Sequence, residues 1–420
     1  MRELIGALGL VRRNRRFARF WIGMMISRVG DAFTTVALSW LVLTTAGPSE
    51  LGITLLLFGL PRVIAGPFAG RLLDLFPARL LLFWDNALRG VLIALIPVLD
   101  LLGAMHIAHI YVIAALCAVL SVTSEVAEGA LVPRMVDDED LEGANALLGA
   151  NWELSSILGP PAAGLLIAWI GASPALFVDA LSFVVMSMLC LGLRIEAPTA
   201  QGSVQERQGL LRGWLGFLTL FRLPAVLALT MSTTGFLFLG GMIEVLFPVF
   251  SRQELHAGSE TYGLLVGASG VGSLLGLMLG IGFLRGLRPG FRVALIIFAG
   301  VPPFALLGLV SQPGIAVALA ALSAFLWGPY FVVERTMVQR LIPNELRGQV
   351  VGGRMAVSSL GYPLGSAAAG LVLAHTTASA TVLVIAVAYM ALSLVPLLAA
   401  PLRHRPGAEA RPKVAVPDNS

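Results

Sequence analysis

Twelve long apolar runs, separated by short polar connections, decide what this chain can fold into. They lie near residues 17–46, 51–73, 79–103, 108–132, 148–171, 174–193, 223–250, 260–284, 291–311, 314–335, 353–374 and 381–402. Each supplies about the twenty residues that a helix rising ~1.5 Å per residue needs to cross ~30 Å of hydrocarbon. Lipid offers no partner to a backbone amide, so only helices and closed β-barrels span it. Barrel strands alternate over about ten residues, whereas these runs are continuous. Only 12% of the chain is charged and 57% is hydrophobic, against about a quarter charged in a soluble domain. The expected fold class is all-α and polytopic, with twelve transmembrane helices.

The arginines set an orientation. Arg12, Arg13, Arg15, Arg16 and Arg19 precede span one; Arg71 and Arg79 lie between spans two and three, and Arg194, Arg207, Arg212 and Arg222 between six and seven. Arg285, Arg288 and Arg292 follow span eight, Arg347 lies between ten and eleven, and Arg403, Arg405, Arg411 and Lys413 form the tail, while the opposite loops offer only Arg252. Basic loops stay on the cytoplasmic side, so both termini are expected there. The net charge of +4 is thus a topology signal, and it calls for a lipid bilayer rather than a nucleic acid as partner. The first apolar run is too long for a secretory leader and has no small-residue cleavage site, so it reads as a retained span.

The longest polar interruption is near the middle, from Arg194 to Arg222. It predicts an N-terminal half over 1–193, a cytoplasmic linker over 194–222, a C-terminal half over 223–402 and a disordered tail over 403–420. "GPPAAGLLIA" at 159–168 echoes "GSAAAGLVLA" at 365–374, and at the same offset Glu128 maps onto Glu334 and Arg134 onto Arg340. Two six-helix pseudo-repeats with a substrate path between them are the architecture such repeats imply. In span eight Gly272, Gly276 and Gly280 recur every four residues, which predicts close helix packing. Pro61, Pro97, Pro160, Pro161, Pro248, Pro329 and Pro363 mark places where spans can kink.

Charges inside the spans carry the chemistry. Arg28 and Asp31 share a face of span one, roughly 14 and 18 Å into the membrane counted from Arg19 at ~1.5 Å per residue. Both should face the bundle interior, because each costs several kcal/mol against lipid. Asp31 is either a proton acceptor tuned by Arg28 or half of a structural pair. Asp85 and Arg89 are one turn apart on span three, near enough to its cytoplasmic end for Asp85 to snorkel. Glu125 and Glu128 share a face of span four, and two neighbouring carboxylates resist double ionisation. They read either as a proton-release or gating site or as a solvated patch with Asp137 to Asp140. Glu244 sits alone within span seven, which suits proton coupling or a cationic substrate. Glu153 and Asp179 lie nearer span ends.

Other chemistry is sparse. His106 and His109 fall in a short outer loop without a third ligand, so no metal site is expected, and Cys117 and Cys190 sit singly in separate spans. The chain has no HExxH, GxxxxGK[ST] or GxSxG motif, and neither an enzyme nor a bound cofactor is expected.

"GRLLDLFPAR", Gly70 to Arg79, resembles the loop signature of the major facilitator superfamily; Gly70, Asp74 and Arg79 match, whereas Leu75 and Ala78 stand where basic residues are usual. "LGPPAAG" resembles that superfamily's antiporter motif through Gly159, Pro160 and Gly164, with Ala163 in place of a glycine. "ANAL" at 144–147, "FVDALSF" at 177–183 and "RVGDAFTTVALSWLVL" in span one are similar to the branch containing bacterial macrolide and siderophore (enterobactin-type) exporters.

The resemblance implies a secondary transporter of the bacterial inner (plasma) membrane, multi-pass and monomeric, in which Asp31 belongs to the family pattern. The basic residue that many drug exporters carry in span four is replaced here by Glu125 and Glu128. The expected function is proton-coupled export of amphipathic small molecules by alternating access. Proton-coupling candidates are Asp31, Arg28, Glu244, Glu125 and Glu128; cavity candidates are Trp40, Phe236 and Glu244. A facilitator or importer of a metabolite or lipid-like molecule, without proton antiport, is the alternative.

Overall fold

A computed structural model of the chain describes residues 9–192, 219–220, 222–283, 286–343 and 346–398. Most of the expected linker at 194–222, the tail at 403–420, and Arg285 lie outside the described residues.

Fifteen helices among those residues build twelve spans. The first six spans are α1 (Arg15–Thr45), α2 (Pro48–Leu75), α3 (Ala78–Leu101), α4 (Ile107–Leu131), α5 (Leu141–Ile170) and α6 (Ala172–Gly192). They are followed by α7 (Pro224–Gln253) and α8 (Ser259–Phe283). Span nine is α9 (Pro289–Ala299) plus α10 (Val301–Leu307), span ten α11 (Pro313–Trp327) plus α12 (Tyr330–Leu341), and span eleven α13 (Arg347–Ser359) plus α14 (Gly361–Leu373). Span twelve is α15 (Ala378–Leu398).

Local sequence explains the boundaries. The Asn14 side chain accepts hydrogen bonds from the amides of Arg16 and Phe17, satisfying two donors at the start of α1. Proline occupies the first turn of α2, α7, α9 and α11, where its missing amide costs nothing. Gly47 (φ 105°) turns the chain from α1 into α2 and Gly171 (φ 91°) from α5 into α6, both in the backbone region that side chains disfavour. Pro329 stands at the break in span ten and Pro363 in the first turn after the break in span eleven, whereas Pro97, Pro160, Pro161 and Pro248 lie inside continuous helices. The apolar run of span five starts near 148, but its helix begins at Leu141, because the amphipathic turn before the run remains helical.

The odd-numbered spans begin at the end of the bundle that carries Arg15, called here the basic end. Among the first six spans the principal packing is α3 on α6, α2 on α4 and α1 on α5 and α6; among the last six it is α8 on α11 and α7 on α14 and α15. The small-residue row of α8 serves that contact: a Cβ on Gly272 or Gly276 would strike the backbone of Ala321 or Phe325, and one on Gly280 would lie 2.7 Å from Pro329.

Two antiparallel helix pairs join the first six spans to the last six: α2 with α14, and α5 with α8. Their closest points are all far from the basic end. Gly52 meets Gly370 and Gly59 meets Pro363; Gly164 meets Ser259, and Gly263 and Gly267 meet Pro160 and Pro161. Arg252 reaches the Leu43 carbonyl across the same end at 3.3 Å. The bundle is closed opposite the basic end, and the exposed Trp152 on the basic-end stretch of α5 lies in an open cleft.

Candidate functional site

A cavity of about 260 Å³ enters the first six spans, lined by residues of α1 to α5. Its wall carries Arg28 and Asp31 from α1, Arg62 from α2, Arg89 from α3, and Glu125 and Glu128 from α4. Every one of these charges would be costly in lipid, and the fold pairs each with an opposite one.

The pairing differs from the one the spacing suggests. Arg28 and Asp31 do not bond each other. Arg28 donates to Glu128 Oε2 at 2.9 Å and lies over the Trp152 ring with its guanidinium carbon 5.1 Å from the centroid. Asp31 instead accepts from Arg89 at 3.2 Å. The residues three apart on one helix turn of α1 are therefore shared out between α4 and α3. Glu125 pairs with Arg62, so Glu125 and Glu128 hold separate guanidiniums, Glu125 at 54% side-chain exposure and Glu128 at 12%.

Arg89 is the centre of the set. Its Nε and Nη2 donate to Asp85 Oδ2 at 3.1 and 2.8 Å, its Nη1 holds Asp31, and its guanidinium lies 4.3 Å from the Phe183 ring centroid. The Ser124 hydroxyl also donates to Asp85. Asp85 is 2% exposed, so it does not snorkel: it is bonded inside the bundle. Behind Asp31, Asp179 of α6 is fully buried and accepts from the Thr34 and Ser182 hydroxyls. Gly30 leaves room for it, since a Cβ there would collide with Asp179 and Ser182.

Exposure separates these carboxylates by accessibility. The side chains of Asp85 and Glu128 are 1% and 12% exposed, whereas Asp31 is 48% exposed toward the cavity and is held by one guanidinium bond. Three guanidiniums (Arg28, Arg62, Arg89) pair with four carboxylates (Asp31, Asp85, Glu125, Glu128), and Asp179 adds a fifth carboxyl held by hydroxyls alone, so carboxyls outnumber guanidiniums in the set.

The other expected residues lie elsewhere. Gly70, Asp74 and Arg79 flank the Phe76–Pro77 turn between α2 and α3 at the basic end. Gly159, Pro160 and Gly164 form packing surface: a Cβ on Gly159 would lie 2.5 Å from Ala32 Cβ of α1, and the Gly164 carbonyl accepts from Ser259 of α8 at 2.9 Å. Trp40 stacks on Tyr262 with centroids 6.4 Å apart. Phe236 is 9% exposed in an aromatic cluster, stacked at 4.1 Å on Tyr330 and edge-on to Phe331 and Tyr389. Glu244 on α7 lies within electrostatic reach of Tyr362 on α14, away from the charged cavity. Glu334 pairs with Arg354 of α13. His106 and His109 cap the start of α4, and no group of three potential metal ligands occurs among the described residues. Arg62 and Asp179 belong to the site as well: sequence reasoning does not name Arg62 and places Asp179 nearer a span end, and the signal that could have found both is a charge within an apolar run.

The family model described as "Transmembrane secretion effector" matches residues 10–419. The chain belongs to this family of the major facilitator superfamily. It is 27% identical over 382 residues to the multidrug efflux pump Tap of Mycolicibacterium fortuitum, covering 88% of this chain and 90% of that one. It is 31% identical over 264 residues to the uncharacterized MFS-type transporter y4rN of Sinorhizobium fredii, covering 60% of this chain and 62% of y4rN. The enterobactin exporter EntS of Shigella boydii is 25% identical over 241 residues, 57% of each chain. Among solved structures, the nucleoside transporter NupG superposes with a TM-score of 0.72 at 13% identity, covering 91% of this chain and 98% of that one. These matches agree with the twelve-span fold and with membership of the exporter branch, and they make the chain a multi-pass membrane transporter.

Proposed function

We propose that this major facilitator protein is a proton-coupled exporter of amphipathic small molecules in a bacterial inner membrane, and that Asp31 is its proton acceptor. The observation that carries the reading is the shared guanidinium of Arg89. When Asp31 takes a proton its bond to Arg89 weakens, yet Arg89 keeps Asp85 and is never left as an unpaired buried charge. Protonation at Asp31 therefore avoids the several kcal/mol that orphaning a buried cation costs. The same event at Glu128 would leave Arg28 without its carboxylate bond.

The mechanical part of the reading takes residues 1–193 and 223–402 as two six-helix bodies joined by 194–222. With the basic end cytoplasmic, the bundle faces inward, closed at the outer end by the α2–α14 and α5–α8 contacts. A proton arriving at Asp31 loosens α1 from α3 and favours this inward-facing state; substrate then enters the cleft, and proton release accompanies the return. Efflux by Tap and EntS supports export over uptake. The test is substrate-driven proton movement in proteoliposomes. Asp31→Asn is expected to keep the fold and lose the coupling. Substrate flux in the wild type without proton movement would favour a facilitator.

A further inference from the structure

Where the first six spans close against the last six, opposite the basic end, a second polar cluster joins four helices. Glu244 of α7 is half-buried and lies within electrostatic reach of Tyr362 of α14, itself 37% exposed. The two helices meet so closely here that a Cβ on Gly241, one turn before Glu244, would strike the Tyr362 carbonyl, and Ser366 donates to the Gly241 carbonyl at 3.2 Å. Tyr262 of α8 lies within electrostatic reach of Glu244 and stacks on Trp40 of α1. No guanidinium is paired with Glu244 among the described residues, unlike every carboxylate lining the charged cavity.

Two further groups in the cluster are unsatisfied. The hydroxyls of Ser39 and Tyr262 are neighbours, both residues are fully buried, and neither hydroxyl makes a hydrogen bond of regular geometry. Buried hydroxyls without partners are uncommon and call for an explanation. A carboxylate, three hydroxyls able to accept, and an aromatic wall form a constellation short of donors and of positive charge. A cation bearing several N–H groups supplies both, whereas a quaternary cation supplies charge alone.

We infer that Glu244, Tyr262, Tyr362, Ser39 and Trp40 form a binding site for the protonated primary or secondary amine of a substrate. The inference rests on the exporter reading and narrows it: the ammonium binds at the closed end of the cleft, on Glu244, while the proton is exchanged separately at Asp31. Because α1, α7, α8 and α14 all contribute, the site exists in this form only while that end is closed.

The test uses a matched pair of probes, 1-adamantylamine and its N,N,N-trimethyl derivative, titrated calorimetrically into the purified full-length protein at pH 7. The wild type is expected to bind the primary amine at least about tenfold more tightly than the trimethyl cation, because each orphaned hydrogen-bond acceptor is costly. Glu244→Gln should lose at least about tenfold in amine affinity and most of the discrimination, with Glu244→Asp intermediate. Tyr262→Phe, which keeps the ring, should reduce the discrimination severalfold. Equal affinity for the two probes, or amine binding by Glu244→Gln at the wild-type level, would overturn the site. Binding needs no proton gradient, so either result leaves the exporter reading intact, which falls only to an absence of substrate-driven proton movement.

Discussion

Removing Asp85 isolates the energetic logic of the charged cavity. Its Oδ2 accepts two bonds from Arg89 and one from Ser124, and the Asp85 and Arg89 side chains are 1% and 9% exposed. Asp85→Ala leaves a nearly buried guanidinium with the single 3.2 Å bond to Asp31. Breaking one side of a buried ion pair costs about 3–5 kcal/mol. Glu125, one helix away, is the internal control: it and Arg62 are 54% and 36% exposed, and truncating an exposed pair costs about 0–1 kcal/mol. At ~2.1 cal/mol/K per residue, unfolding the chain carries about 0.9 kcal/mol/K, so Asp85→Ala should lower the melting temperature by roughly 3–6 °C and Glu125→Ala by about 1 °C or less. Thermal unfolding of both variants in one detergent measures the difference. The double variant Asp85→Ala/Arg89→Met, which removes both charges, should recover most of the loss, because an apolar replacement of a buried pair is often neutral. Equal shifts for Asp85→Ala and Glu125→Ala, or a double variant worse than the single, would refute the reasoning.

Other outcomes follow from the geometry. Gly276→Ala should destabilise the α8–α11 contact by about 1–3 kcal/mol, because the added carbon meets the Phe325 backbone, whereas Gly282→Ala, with nothing within 4 Å, should be neutral or slightly stabilising in the same melt. Glu334→Gln should lower the melting temperature by a few degrees, since Arg354, 14% exposed, loses its carboxylate. Ser156→Cys, on the cavity wall, should react with a membrane-impermeant maleimide in inside-out vesicles and be protected in right-side-out ones. Labelling from the opposite side would reverse the assigned orientation.

The spans were readable because lipid imposes one requirement, about twenty apolar residues per crossing, and the sequence meets it twelve times. The row of glycines in α8 was readable too, as a four-residue spacing puts small residues on one face. Partners were not. Arg28 and Asp31 look like a pair along the chain, yet side chains three apart on one helix can each reach a different neighbouring helix, and here Glu128 and Arg89 supply the stronger geometry. Asp85 looked able to snorkel from its position along α3; only the packing of Ser124 and Arg89 around it shows that it does not. Arg62 is not singled out along the chain and Asp179 reads only as lying near a span end, because their significance depends on Glu125, Thr34 and Ser182, which are distant in sequence or silent in a hydropathy pattern.

The most direct measurement is of protons. Purified wild type and Asp31→Asn would be reconstituted in liposomes with a pH-sensitive dye inside, and a panel of amphipathic amines, macrolides and siderophores added in the presence of an imposed proton gradient. The account predicts that at least one compound dissipates the gradient through wild type and not through Asp31→Asn, with both proteins equally folded. Dissipation of equal size in the two, or transport of a labelled compound by wild type with no proton movement, would contradict the assignment of Asp31 as the coupling carboxylate.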